Sequence, residues 1–190
     1  MSATNYIQEQ FHWPKELHIC YYHAGCPDGI CAAWAILQTQ KEEPNTKFHA
    51  IKGHAEFKTI GIPAGCKEFN MNDYLGKSII FVDVCPDEKS LTTMLDCAES
   101  IHILDHHTTN EALITKYKAH PKLRLSTIFD MERSGCQIAW DFVTGWNINL
   151  SLCKDPMSNS RDDQSRPWFI NYVADRDLYK HELKIGRAHV

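Results

Sequence analysis

Residues 78–107, SIIFVDVCPDEKSLTTMLDCAESIHILDHH, decide how the rest of the chain is read. An apolar run, SIIFVDV (78–84), broken only by Asp83 near its end, comes first. Pro86, Asp87 and Glu88 then open a segment with helical spacing; proline and acidic side chains suit the first turn of a helix. A second β-prone run, SIHIL (100–104), follows at once. Strand, helix and strand in so short a span make a βαβ unit. Continuous rather than alternating apolar character marks strands that are covered on both faces.

The same alternation continues on either side. LHICYY (17–22), KFHAIK (47–52) and LRLSTIF (123–129) read as further strands. GICAAWAILQTQ (29–40), TNEALITKY (109–117), SGCQIAWDFVTGW (134–146) and RPWFINYVADRDLY (166–179) carry helical spacing. NLSLCKDPMSNSRDDQSRP (149–167) is rich in Pro, Ser and Asn and reads as a loop. The expected fold is α/β and doubly wound: a mainly parallel sheet of about five strands with helices on both faces. Residues 1–16 form an N-terminal extension and 17–184 the domain. The final IGRAHV (185–190) makes no turn, cap or apolar period and reads as an adapter-derived tail, so the natural chain is expected to continue beyond Lys184.

A chain of 190 residues, 43% hydrophobic and 23% charged, has the balance of one soluble globular domain. Its net charge of −4 excludes binding of nucleic acid by bulk electrostatics, though not by a local cationic site. No apolar run approaches a membrane span and the N-terminus lacks a secretory pattern, so no membrane partner and a cytoplasmic location are expected. The eight cysteines are scattered without a C-x-x-C and read as reduced, mostly core residues.

In open α/β sheets, ligands collect at the carboxyl ends of the strands. His23 follows HICYY, Asp83 closes IIFV, and Asp105, His106 and His107 close IHIL. Each has an ordinary structural reading: His23 as a strand cap, Asp28 as a helix N-cap, Asp83 as a turn residue. Asp177 reads as structural, pairing with Arg176 or capping the helix exit. What outweighs these readings is convergence, because three strand ends place His or Asp along one edge. Two adjacent histidines are costly in a core, where each ring nitrogen needs a partner, but useful beside a metal or a phosphate.

Four patches, YYHAGCPDGICAAW, FVDVCP, LDHHTT and YVADRDLY, occur in that order over about residues 17–179. Together they resemble the DHH phosphoesterase superfamily, in the branch whose first motif has the form HxxCPDG. The resemblance implies two divalent ions, Mn²⁺ or Mg²⁺, with metal ligands among His23, Asp28, Asp83, His106 and Asp175, Asp83 bridging both ions. It implies that His107 contacts the substrate phosphate and that Asp105 orients a metal-ligating imidazole from behind. Its reaction is hydrolysis by metal-activated water of a phosphodiester or phosphoanhydride, in a short oligonucleotide, a cyclic dinucleotide or a polyphosphate-type small molecule. It also implies a smaller C-terminal substrate-binding domain, which is expected to lie beyond this sequence. One departure stands out: the first motif is one residue short and offers Cys26 where a carboxylate is expected. A thiolate suits Zn²⁺ or Fe²⁺ better than Mg²⁺, so Cys26 is a candidate ligand that leaves the first ion's identity open. The competing reading is a metal-dependent nucleotide-binding or regulatory module without turnover. A third, a zinc-stabilised fold, lacks cysteines at zinc-ligand spacing. The oligomeric state stays open, a homodimer among the options.

Overall fold

The computed structural model describes residues 16–39, 52–123, 127–144 and 166–183. The chain runs β1 (Glu16–His23), α1 (Pro27–Gln38), β2 (Lys52–Ile62), α2 (Met71–Tyr74), β3 (Ser78–Val82), α3 (Glu88–Cys97), β4 (Ser100–Asp105), α4 (Thr108–Tyr117), β5 (Ile128–Phe129), α5 (Gly135–Val143) and α6 (Trp168–Asp177). The five strands form one sheet in the order β2-β1-β3-β4-β5. Every neighbouring pair is parallel.

Side chains alternate across this sheet with the strand period of two. Cys20, Ile80, Val82 and Leu104 point to one face and pack with Ala32, Ile36, Ile138, Phe142 and Ile170, so α1, α5 and α6 lie there. Ile19, Tyr21, Ile79, Phe81, Ile101 and Ile103 point to the other and pack with Tyr74, Leu91, Met94 and Ile114, so α2, α3 and α4 lie there. The fold is therefore doubly wound. The central strand β3 is buried throughout, which is why its sequence shows no alternation. Alanines at 32, 33 and 35 let α1 approach the sheet closely, and Trp34 stacks on Trp140 of α5 with rings 5.8 Å apart.

Two strand boundaries differ from the sequence reading. The second strand is Lys52–Ile62 rather than 47–52, whose residues 47–51 lie outside those described. It is an edge strand with a single neighbour, so polar residues and glycines are tolerated and no long apolar run advertises it. The fifth strand is only Ile128–Phe129, and residues 124–126 of the expected run fall outside the described set, as do the extension over 1–15, the loop over 149–165 and the tail. Cys20, Cys26, Cys31, Cys66, Cys85, Cys97 and Cys136 are all free. Among the described residues no helix is long and apolar enough to cross a membrane.

The strand order reverses between β1 and β3, since β2 lies on one side of β1 while β3, β4 and β5 follow on the other. At such a reversal the connecting chains leave in opposite directions and open a crevice at the carboxyl edge. His23 ends β1, and Asp83 follows β3 directly.

Candidate metal centre

Asp83 is the centre of the cluster and is 1% exposed. Its N–H extends the β3–β4 pairing by donating to the carbonyl of Leu104 at 2.9 Å. It then turns the chain with φ 58°, a left-handed conformation costing a non-glycine residue about 1–3 kcal/mol. Its two oxygens face different ways. Oδ1 lies 3.1 Å from His106 Nε2, and Oδ2 lies 3.4 Å from His23 Nδ1.

Asp28 enters from the first turn of α1. Gly29 permits this, because a Cβ there would sit 2.4 Å from the carbonyl oxygen of His23. The Asp28 carboxylate accepts from the N–H groups of Gly135 at 2.6 Å and Cys136 at 3.0 Å, at the N-terminus of α5. The helix dipole favours a negative charge there. Its Oδ2 also lies 3.7 Å from His106 Nε2. Asp177, at the end of α6, brings a third carboxylate to the same imidazole at 3.4 Å.

These side chains form three overlapping groups whose ligand-type atoms lie within 4.8 Å of one another: His23, Cys26 and Asp83; Asp83, His106 and His107; and Asp28, His106 and Asp177. Asp83 belongs to the first and second groups and His106 to the second and third, so the carboxylate of Asp83 spans the gap between two positions. The donor set fits divalent ions on physical grounds. His23 Nδ1, Asp83 Oδ2 and Asp177 Oδ2 are buried without a hydrogen-bond partner. Leaving such atoms unmatched is costly, and a cation would satisfy them together. Oxygen and imidazole donors suit Mn²⁺ or Mg²⁺, and the Cys26 sulfur in the first group adds a preference for softer ions.

The charges bear this crowding out. Burial first, then the charges of Asp83 and Asp177, push the Asp28 carboxyl up to about 6, against the opposing N–H of Cys136. Asp177 is also raised, by burial and by Asp83. For His106, burial pulls the pKa down, but the hydrogen bond and charge of Asp83 outweigh it and the net shift is upward. Protons therefore occupy this cluster when no cation does, and a cation must displace them. Followed by calorimetry, the apparent Mn²⁺ affinity should climb as pH rises through about 6, where Asp28 gives up its proton, and go on climbing above the ordinary imidazole range, where His106 gives up its own. A flat profile from pH 5 to 7 would contradict it. The sign for folding is the opposite: the metal-free chain holds a proton at Asp28 that the unfolded chain has lost, so this contribution to stability is present in acid and disappears as pH rises through about 6.

His106 and His107 are handled differently. Asp105, fully buried, accepts from the N–H groups of both His106, at 2.8 Å, and His107, at 3.2 Å. Its Oδ1 also holds His107 Nδ1 at 2.7 Å, and Asn110 donates to its Oδ2 at 2.6 Å. Asp105 thus orients the ring of His107 and touches His106 through the backbone alone. That hydrogen bond, against burial, raises His107 to about 9. His107 is half-exposed and lines a cavity of about 260 Å³ together with His23, Asp83, Asn110 and Asp87. A second cavity, of about 320 Å³, opens on the other side of the cluster at Asp28 and Asp177. A larger one, of about 570 Å³ between Phe69, Tyr74, Ser90 and Met94, holds none of these histidines.

The structure brings together His23, Cys26, Asp28, Asp83, His106 and His107, with Asp105 behind them. It does not bring Asp175 to His106; Asp177 occupies that place. Residues two apart on a helix point to nearly opposite faces, so only one of the pair can reach the cluster. The Asp175 carboxylate turns away and accepts from the N–H of Glu182 at 2.8 Å. Burial alone does not pick between them, since Asp175 is buried with Ile170 and Ala174 while Asp177 is part-exposed toward the cluster.

Sequence reasoning also passed over Gly135. A Cβ there would lie 2.6 Å from Asp83 Cβ, 2.8 Å from Asp83 Oδ1 and 2.9 Å from Asp28 Oδ2. Gly135→Ala should therefore force the two carboxylates apart and weaken Mn²⁺ binding by about tenfold or more, the scale of losing a supporting contact to a metal ligand. Circular dichroism would confirm that the fold persists; unchanged affinity in a folded variant would contradict the packing described.

No protein-family model, no curated protein and no solved structure matches this chain.

Proposed function

We propose that the chain is a divalent-metal-dependent phosphoesterase that hydrolyses a phosphodiester or phosphoanhydride. The observation that carries this reading is the meeting of three carboxylates, Asp28, Asp83 and Asp177, with His23 and His106 at the strand-order reversal, with unsatisfied buried donor atoms directed at one another. Divalent ions held here would supply a hydroxide-like water near neutral pH and polarise phosphoryl oxygens. His23, Asp83, Asp28, His106 and Asp177 would hold such ions, with the Asp83 carboxylate facing both positions. The N-terminus of α5 fixes the Asp28 carboxylate through the Gly135 and Cys136 N–H groups, so this ligand needs no reorganisation. His107, kept cationic by Asp105, presents a donor to a phosphate oxygen and offsets charge that builds there during attack.

The test is turnover of bis-(p-nitrophenyl) phosphate, pyrophosphate and a short oligonucleotide with Mn²⁺, with Mg²⁺ and in chelator. Turnover that requires the cation is expected for at least one of them. Tight cation binding with no turnover of any would point instead to a metal-dependent binding module, the reading favoured by the thiol of Cys26 in the first group.

Cys26 carries a further expectation. Burial and the neighbouring charges of Asp83 and Asp28 raise its thiol pKa, against N–H groups of Gly29 and Asp28, so the sulfur is a poor ligand for Mg²⁺. Cys26→Asp should raise affinity for Mn²⁺ and Mg²⁺ and lower that for Zn²⁺, each by about tenfold, on the scale of changing the character of one ligand. Identical titrations of both proteins would show that Cys26 does not touch the ion.

A further inference from the structure

The cavity of about 320 Å³ beside Asp28 and Asp177 differs in character from the one beside His107. Its wall away from the carboxylates is made by Tyr172, Val173, Arg176 and Tyr179. The Arg176 guanidinium stands over the Tyr172 ring, 5.6 Å from its centroid, and its Nη1 lies 2.7 Å from His181 Nδ1. His181 in turn meets the Tyr179 ring edge-on at 6.2 Å. Four side chains thus make a continuous aromatic and guanidinium wall, yet Tyr179 is 84% exposed.

A tyrosine left so exposed at a helix exit gains nothing from burial, and here it is also held at a backbone cost. Tyr179 has φ 55° and His181 φ 52°. With Asp83 they are the only non-glycine residues of positive φ among those described, so all such strain is at the cluster or at this cleft. The strained turn is fastened by Asp175. Its carbonyl accepts from Lys180 at 3.0 Å and His181 at 3.3 Å, and its carboxylate from Glu182. This is the work of the aspartate that sequence reading assigned to metal: a buried post that fixes the direction of Tyr179. Strain of this kind persists where surrounding contacts hold it, and it collects at ligand sites.

A cleft with planar aromatic and guanidinium surfaces, opening directly onto two carboxylates of the cluster, suits a flat, polarizable group joined to a phosphate. Tyrosine and arginine faces stack on heteroaromatic rings, and this contact is tolerant of base identity. An inorganic pyrophosphate or polyphosphate would leave these surfaces bare. We infer that the cleft of Tyr172, Arg176 and Tyr179 accepts the nucleobase of a nucleotide ester, whose phosphate lies at the carboxylate–histidine cluster. This deepens the phosphoesterase reading and rests on it for the position of the phosphate, whereas the stacking cleft itself needs no ion.

The experiment separates the two. Protein loaded with Mn²⁺ is titrated with 5′-AMP and with ribose 5-phosphate, while electron paramagnetic resonance follows free Mn²⁺ in the same samples. A parallel series in chelator uses adenosine and ribose. AMP should bind about tenfold more tightly than ribose 5-phosphate, within the range that one base stack supplies. Tyr179→Ala should cut that preference to about twofold and leave ribose 5-phosphate affinity unchanged, with a matching loss of adenosine binding in chelator. Tyr179→Phe should retain the preference, since the ring and not the hydroxyl does the stacking. Equal binding of AMP and ribose 5-phosphate, or equal weakening of both by Tyr179→Ala, would overturn the inference. A protein that leaves Mn²⁺ free would overturn the metal reading instead, and adenosine in chelator would still decide the cleft.

Discussion

Asp83→Asn should remove nearly all phosphoester turnover, by about 10³-fold or more, and should leave the chain folded. The magnitude is that of losing a preorganised electrostatic contact at a reacting centre. The reason is geometric. One carboxylate serves two positions, with Oδ1 at 3.1 Å from His106 and Oδ2 at 3.4 Å from His23. An amide replaces one of those oxygens by a donor, so one position gains a group that repels a cation and the other loses the charge. The substitution is nearly isosteric, and the Asp83 N–H bond to Leu104 does not involve the side chain, so the end of β3 is preserved. Asparagine also tolerates left-handed backbone well. Relief of carboxylate repulsion should even leave the metal-free variant at least as resistant to denaturant as the parent. Full activity in Asp83→Asn would refute the bridging role.

The paired histidines should separate just as clearly. His106 is in contact with three carboxylates, those of Asp28, Asp83 and Asp177. His106→Ala should weaken Mn²⁺ binding by at least about 100-fold, the upper scale for partners that only support a ligand. The Nδ1 of His107 is committed to Asp105, and half of its side chain faces the cavity beside His23 and Asn110. His107→Ala should therefore leave Mn²⁺ affinity within a few-fold of the parent and lower turnover by about 10²–10³-fold. Asp105→Asn should act in the direction of His107→Ala, because its carboxylate is what keeps His107 protonated. Equal loss of metal in the two alanine variants would contradict this division of labour.

Much of this is legible in the sequence. The continuous apolar runs at 78–84 and 100–104 identified buried parallel strands, and parallel strands put their carboxyl ends on one edge. His23, Asp83 and the Asp105–His107 triplet were thereby expected to meet. The edge strand Lys52–Ile62 was harder to read, because one neighbour and one solvated edge relax the apolar requirement. The choice between Asp175 and Asp177 required knowing which of the two faces of α6 meets the strand ends, and a buried position does not decide it, because Asp175 is buried against the turn after the helix instead. Gly135 was invisible for another reason: its importance is the absence of a side chain, opposite residues 107 and 52 positions away. The role of Asp105 is half legible: an orienting carboxylate is expected, but beside the ligating imidazole, whereas the turn into α4 brings it to the ring of His107 and only to the backbone of His106.

The account turns on whether two divalent ions share the carboxylate of Asp83. The most direct measurement is a crystal of this chain soaked in Mn²⁺, with anomalous differences recorded at the manganese edge. Two peaks are predicted per chain, one among His23, Cys26 and Asp83 and the other among Asp28, His106 and Asp177, with an Asp83 oxygen on each. No peak at these residues, in protein saturated with Mn²⁺, would contradict the account.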